Sequence, residues 1–184
     1  MTPDRPERKN PRLRGWDYGA GGTYFVTFCT SAHRPVLSSI RRGDPCGRPP
    51  LVLTPLGECV AEAIALTGVR VEHQVIMPNH VHLLLTLERA ATRAAPTGAG
   101  TRADARVAPT DSGPRAAAEL GRLVGGVKSR SVHLAAGRGL EAGRLWQRGY
   151  YDHIVRSEND FLRIWTYIDN NPLRWELDCY YTER

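Results

Sequence analysis

Apolar and polar positions along the chain predict a regular succession of elements. Thr23–Thr30 reads TYFVTFCT. Tyr24, Val26 and Phe28 alternate with Phe25, Thr27 and Cys29, mostly good strand formers, which predicts a central strand covered on both faces. Gly21-Gly22 marks its start. Ser31–Leu53 has no strand or helix period, and its RRGDPCGRPPL segment is rich in Gly and Pro, so a long connection is expected. In Thr54–Thr67, Thr54 suits an N-cap and Pro55 the first helical position, with Val60, Ile64 and Leu66 as the buried stripe. Val71–Met77 and His80–Leu87 read as two strands joined at Pro78-Asn79. Glu88–Pro114 is Ala, Thr, Gly, Pro and Arg without periodicity, a flexible loop. Arg115–Ala136 predicts a second helix burying Leu120, Leu123, Val124 and Val127, weakened or kinked at Gly125-Gly126. Tyr151–Val155 is a short strand. Ser157–Asp160 resembles a capping box, and the helix after it places Phe161, Ile164, Trp165 and Ile168 on its core side. Pro172 stops that helix near Asn171.

The order is β, α, β, β, α, β, α. Its first six members are those of a ferredoxin-like α+β sandwich, an antiparallel sheet with helices on one face. The other face is left open, and the last helix is free to lie over it. Residues 1–22 read as a basic arm and 23–184 as a single domain with flexible insertions near 40–53 and 89–114.

Charge changes the picture toward nucleic acid. Among 184 residues, 25 are Lys or Arg against 19 Asp or Glu, a net charge of +6, and all the basic residues except Lys9 and Lys128 are arginines. Arginine matches phosphate with a bidentate fork and stacks on bases; a GC-rich genome also enriches Arg, Ala, Gly and Pro. In the arm, Arg12 and Arg14 are placed to track a phosphate backbone. Lys128, Arg130 and His133 cluster near the end of the second helix, placed to face phosphate, and Lys128, Arg130 and Arg163 join the arm's arginines as candidate DNA-binding residues. No stretch is apolar enough to span a membrane, and no apolar leader follows the first residues. Cys29, Cys46, Cys59 and Cys179 form no CxxC pair and read as reduced thiols. The expected location is cytoplasmic, nucleoid-associated when bound to DNA.

His80 and His82 lie two apart in a strand, so their imidazoles share a face while Val81, Leu83 and Leu85 point into a core. Such a pair can hold a divalent metal, although adjacent strand histidines are more often structural. On the last helix Arg163, Tyr167 and Asn171 are spaced i, i+4, i+8 and share one face. Were this helix to cover the open sheet face, His80, His82 and Asn171 would suit Mg2+ or Mn2+, with Tyr167 beside the ion. A divalent ion offsets charge developing on a phosphodiester while the tyrosine oxygen attacks phosphorus.

The segments RLRGWDYGAGG, GTYFVTFCT, VIMPNHVHLLL and LWQRGYYDHIVRSENDFLRIWTYIDNNPLRWEL resemble the single-tyrosine HUH transposases, in particular the REP-associated tyrosine transposases. The combination of P-N-H-x-H with Y-I-x-x-N-P carries the resemblance. It implies that His80 and His82 bind a metal, Asn171 completes the site and Tyr167 is the nucleophile. It further implies attack on single-stranded DNA or DNA hairpins from palindromic repeats, a 5′-phosphotyrosine link, a free 3′-OH and no nucleotide cofactor. Relatives include monomers and homodimers.

The two loops depart from the family pattern. In the first, Gly43-Asp44-Pro45 and Gly47-Arg48-Pro49 can be encoded by reverse-complementary arms, GGCGACC and GGTCGCC, as a translated DNA hairpin would be. Tyr150 and Tyr151 are rival nucleophiles lacking a ligand four residues on. His153, His73 and His33 read as structural or core-edge residues, and Trp146 and Trp175 as core residues able to stack on bases. Two other readings stand beside the transposase: a non-catalytic single-stranded nucleic-acid-binding module of the same fold, and a domesticated transposase that processes host repeats. The histidines occupy sheet positions where the former would carry aromatics.

Overall fold

The computed structural model describes residues 21–40, 51–88 and 113–181. Strands β1 (Gly22–Cys29), β4 (Arg70–Ile76), β5 (His80–Leu87) and β6 (Tyr151–Val155) form one antiparallel sheet in the order β4-β5-β1-β6. With helices α1 (Pro55–Ala65) and α2 (Gly113–Gly137) inserted between strands, this is a ferredoxin-like α+β sandwich. Among the described residues no helix is long and apolar enough to cross a membrane.

Strand alternation divides the sheet into two chemically different faces. Tyr24, Val26, Phe28, Val81, Leu83 and Leu85 point to one face and pack with Val60 and Ile64 of α1 and Leu120, Val124 and Val127 of α2. Their neighbours in sequence point the other way. There Phe25 and Leu84 meet Ile164 and Ile168 of α3 (Glu158–Asn170), a smaller second core that fixes the helix over the sheet. Full burial of each such side chain contributes on the order of 1.5–3 kcal/mol. Ser157 caps α3 by accepting a hydrogen bond from the Asp160 amide.

Four expectations need correction. Leu66, expected in the buried stripe of the first helix, is its C-cap residue and is exposed, because the helix ends at Ala65. The connection between β1 and α1 is not without strand: Ser38–Ile40 (β2) pairs with Leu51–Leu53 (β3) in a two-stranded ribbon. Three-residue strands are too short for a period to register in sequence. The glycine pair Gly125-Gly126 does not interrupt α2, which runs as one helix because flanking Val124 and Val127 are anchored in the core while both glycines face solvent. Trp165 is not a core residue. It is 37% exposed and stacks on His73 of β4 at 4.3 Å between ring centroids. The expected insertion loops fall mostly outside the described residues, as do the arm with Arg12 and Arg14 and Cys46.

Candidate active site

The β4–β5 turn places the histidines. Pro78 and Asn79 make a two-residue connection closed by the Met77 amide donating to the His80 carbonyl at 2.8 Å. Asn79 is fully buried. Its Nδ2 donates to the carbonyls of His33 (3.1 Å) and Tyr180 (2.7 Å), so its Oδ1 must be the acceptor facing His80 Nδ1 at 2.9 Å. His80 is thereby held as the tautomer protonated on Nδ1, with Nε2 bare.

Across the ladder Thr27 pairs with His82, and its hydroxyl lies 2.8 Å from His82 Nδ1. The two Nε2 atoms then face each other at 3.0 Å. Both rings are buried. Burial pushes His80 down to about 4, against an upward pull from Asp178. Burial, and then the neighbouring His80, hold His82 well below the ordinary histidine value. Both imidazoles are thus neutral at physiological pH, the state in which they ligate metal.

The end of α3 and the turn after it close the pocket. Asn171, the C-cap of α3, is buried. Its Nδ2 donates to Asp178 Oδ2 at 2.9 Å and lies 3.5 Å from His82 Nε2, and its Oδ1 is buried without a hydrogen-bond partner. The other Asp178 oxygen accepts from the Tyr180 amide at 2.8 Å. Trp175 and Tyr180 cover His80, with ring centroids at 5.9 and 4.7 Å. Tyr167, on α3 one turn before Asn171, is 44% exposed and its hydroxyl lies 3.5 Å from His82 Nε2. Phe25 meets the Tyr167 ring edge-on at 5.9 Å. Partial burial, with Asp178 and Cys179 nearby, pushes the phenol up to about 12.

These residues fit a divalent metal. Two nitrogens bound at right angles to an ion at about 2.1 Å lie about 3.0 Å apart, the spacing of the two Nε2 atoms. A buried amide oxygen without a partner is costly and usually marks an absent polar neighbour or ion. His80, His82 and Asp178 also bring ligand atoms within 4.8 Å of one another. Asn171 Oδ1 is the free oxygen; Asp178 has both oxygens engaged and orients Asn171.

The structure thus brings His80, His82, Asn171 and Tyr167 together. It adds Thr27, Asn79 and Asp178, which spacing did not single out. Asp178 was hidden because Pro172–Leu177 coils into a 3-10 turn that carries it back toward the end of α3. The basic residues scatter. Lys128 donates to the carbonyls of Gln147 (2.9 Å) and Gly149 (2.6 Å) and lies over Phe28, and burial pushes its amine down to about 8. Arg130 donates to the Leu66 carbonyl at 2.8 Å. Arg163 lies on the Tyr167 face of α3 and pairs with Asp160 at 2.6 Å. Among the rivals, Tyr150 packs against the core and Tyr151 pairs with Thr27 on the edge strand. Trp146 is a core residue, edge-on to Phe28 and donating to Ser131.

The described residues therefore define a ferredoxin-like domain with a buried two-histidine pocket and a tyrosine at its rim. No family model matches the chain. An uncharacterized protein of Haemophilus influenzae is 28% identical over 181 residues, 96% of this chain and 94% of that protein. The chain is similar to the structure of a REP-associated tyrosine transposase bound to a REP hairpin, with 16% identity and a TM-score of 0.49 over 84% of this chain and 68% of that one. It is also similar to a candidate transposase from Deinococcus radiodurans, with 21% identity and a TM-score of 0.37 over 86% of this chain and 95% of that one.

Proposed function

We propose that this protein is a metal-dependent DNA-nicking and strand-transfer enzyme of the tyrosine HUH transposase type. It cleaves single-stranded DNA beside hairpin-forming palindromic repeats through a 5′-phosphotyrosine intermediate. The observation that carries the reading is the Tyr167 hydroxyl 3.5 Å from His82 Nε2, at the mouth of a pocket where two imidazoles face each other through Nε2 beside Asn171, whose buried amide oxygen has no partner.

His80, His82 and Asn171 would hold the ion. When bound, Mg2+ or Mn2+ polarises the scissile phosphate and offsets the charge that develops on it. Thr27 and Asn79 orient the two imidazoles, and Asp178 orients the Asn171 amide. Tyr167 attacks phosphorus through its phenolic oxygen. The bond to the 3′ oxygen breaks, the phenol proton is lost and the leaving oxygen gains one, so a free 3′-OH and a 5′-phosphotyrosine result. With its phenol raised to about 12, Tyr167 is protonated at rest. Phe25, edge-on to the Tyr167 ring, limits its swing toward the sheet.

A sheet-face nucleic-acid-binding module is disfavoured by the same geometry. His80 and His82 are buried under α3 and the Trp175–Tyr180 segment, so the face is not an open platform.

The test is a covalent-adduct assay on hairpins with single-stranded flanks, taken from DNA around the gene, in Mn2+. The strand is labelled at either end. The proposal expects the 3′-end label to remain on protein and the 5′-end label to leave on a fragment ending in 3′-OH. Retention of the 5′-end label would reverse the assigned polarity.

A further inference from the structure

Beside Tyr167 the surface opens into a cavity of about 510 Å³ lined by Arg163, Asn170, Asn171, Arg174 and Asp178 together with Tyr167 itself. The two guanidiniums sit on either side of the tyrosine along the chain. Arg163 is one helical turn before it, and Arg174 lies in the 3-10 turn after α3. We propose that this cavity is the track for the single-stranded DNA running through the site, with Arg163 and Arg174 binding the phosphates that flank the scissile one. This rests on the function proposed above and adds the path of the strand.

The two arginines are prepared differently. Arg163 is held: its Nη2 donates to Asp160 Oδ1 at 2.6 Å, and Asp160 Oδ2 lies 2.8 Å from His153 Nε2 on β6. Those two partners, Arg163 first, hold the Asp160 carboxyl down to about 2, so the clamp persists at physiological pH. Arg174 is free. Among the described residues it carries no ion pair, and its side chain is exposed. An unpaired guanidinium in a concave wall breaks no ion pair on meeting a phosphate, and its fork suits two phosphate oxygens. Asp178, the acid in the lining, has both oxygens engaged with Asn171 and the Tyr180 amide. The polar rim therefore offers cationic donors to an anionic strand. A backbone track of this kind is indifferent to base sequence.

The experiment measures binding of full-length protein to a fluorescent hairpin with and without a single-stranded flank, across a salt series, alongside the adduct assay. Arg174→Gln is the principal variant, Arg174→Lys its charge-preserving control and Arg130→Gln a control outside the cavity. The expected result for Arg174→Gln is weaker binding of the flanked hairpin by a similar factor whatever the flank's sequence. The salt slope should fall by about 0.7, the loss of one single-strand phosphate contact. Binding of the unflanked hairpin should be unchanged, and Arg174→Lys should restore the slope. An unchanged slope for Arg174→Gln, an equal loss on both hairpins or an equal loss in Arg130→Gln overturns the proposal. A wild-type protein that forms no adduct, while Arg174→Gln alone loses flank binding and slope, overturns the enzyme reading and leaves the track standing.

Discussion

Tyr167 and His82 lie 85 residues apart in sequence, yet the tyrosine hydroxyl lies 3.5 Å from His82 Nε2. Replacing that hydroxyl by hydrogen removes the nucleophile and no buried packing. Tyr167→Phe should form no covalent DNA adduct, while its affinity for a flanked hairpin stays within a few-fold of wild type. Residual adduct in the variant would shift the nucleophile to another residue, Tyr151 being the next to test.

Metal binding should depend on His80 and Asn171 in different degrees. His80→Ala removes one of two buried imidazoles and leaves Asn79 Oδ1 unpaired. It should abolish the binding of Mn2+, read as quenching of Trp175, whose ring lies 5.9 Å from His80. Asn171→Ala removes the unpartnered amide oxygen together with the Nδ2 that donates to Asp178, and should weaken binding less. Wild-type affinity in Asn171→Ala would move the third ligand to Asp178.

Thr27 touches His82 but not the pocket's interior. The hydroxyl can donate to His82 Nδ1 or accept from it, so it supports either tautomer. Thr27→Val keeps the shape and removes that partner. Mn2+ affinity should drop about 10- to 100-fold, the usual cost of losing an outer-shell partner. Equal affinity in Thr27→Val would mean that packing alone orients the ring.

The buried imidazoles also make the metal-free fold acid-sensitive. Above pH 6.5 both histidines are neutral in the folded and unfolded chains and contribute no pH dependence. Below it the unfolded chain takes up protons that the native state refuses until about pH 4, the value to which burial lowers His80. Stability should therefore fall between about pH 6.5 and 4. Thermal melts of the metal-stripped protein would read this, and a His80→Gln, His82→Gln double variant should flatten that stretch of the profile.

Gly57 marks a contact that no periodicity reveals. A Cβ there would meet the Leu37 carbonyl oxygen at 2.0 Å, and that oxygen also accepts from the amide of Thr54, the N-cap of α1. Gly57→Ala should destabilise the protein by about 1–3 kcal/mol, since backbone cannot move aside as a side chain can. Denaturant unfolding at fixed pH checks it, and a loss under 0.5 kcal/mol (~0.5, the surface range) would show the segment free to shift.

The order of the helices and of the strands of the main sheet, the sheet face shared by His80 and His82 and the helix face shared by Arg163, Tyr167 and Asn171 were readable in sequence. Each follows from a local period of two or of about 3.6 residues. The RRGDPCGRPPL flanks were not readable as strands, because a three-residue pairing leaves no period. Nor were Asp178's place beside Asn171, Thr27's across from His82, or the separate duties of Lys128, which holds carbonyls, and Arg174, which is free. Charge in the sequence says only that a side chain is cationic; its partner is chosen by packing. Local chemistry thus determined which residue types were available on each face. The second core of Phe25, Leu84, Ile164 and Ile168 decided that α3 lies over the histidines, because only a docked helix brings Tyr167 and Asn171 within reach of a strand so distant in sequence.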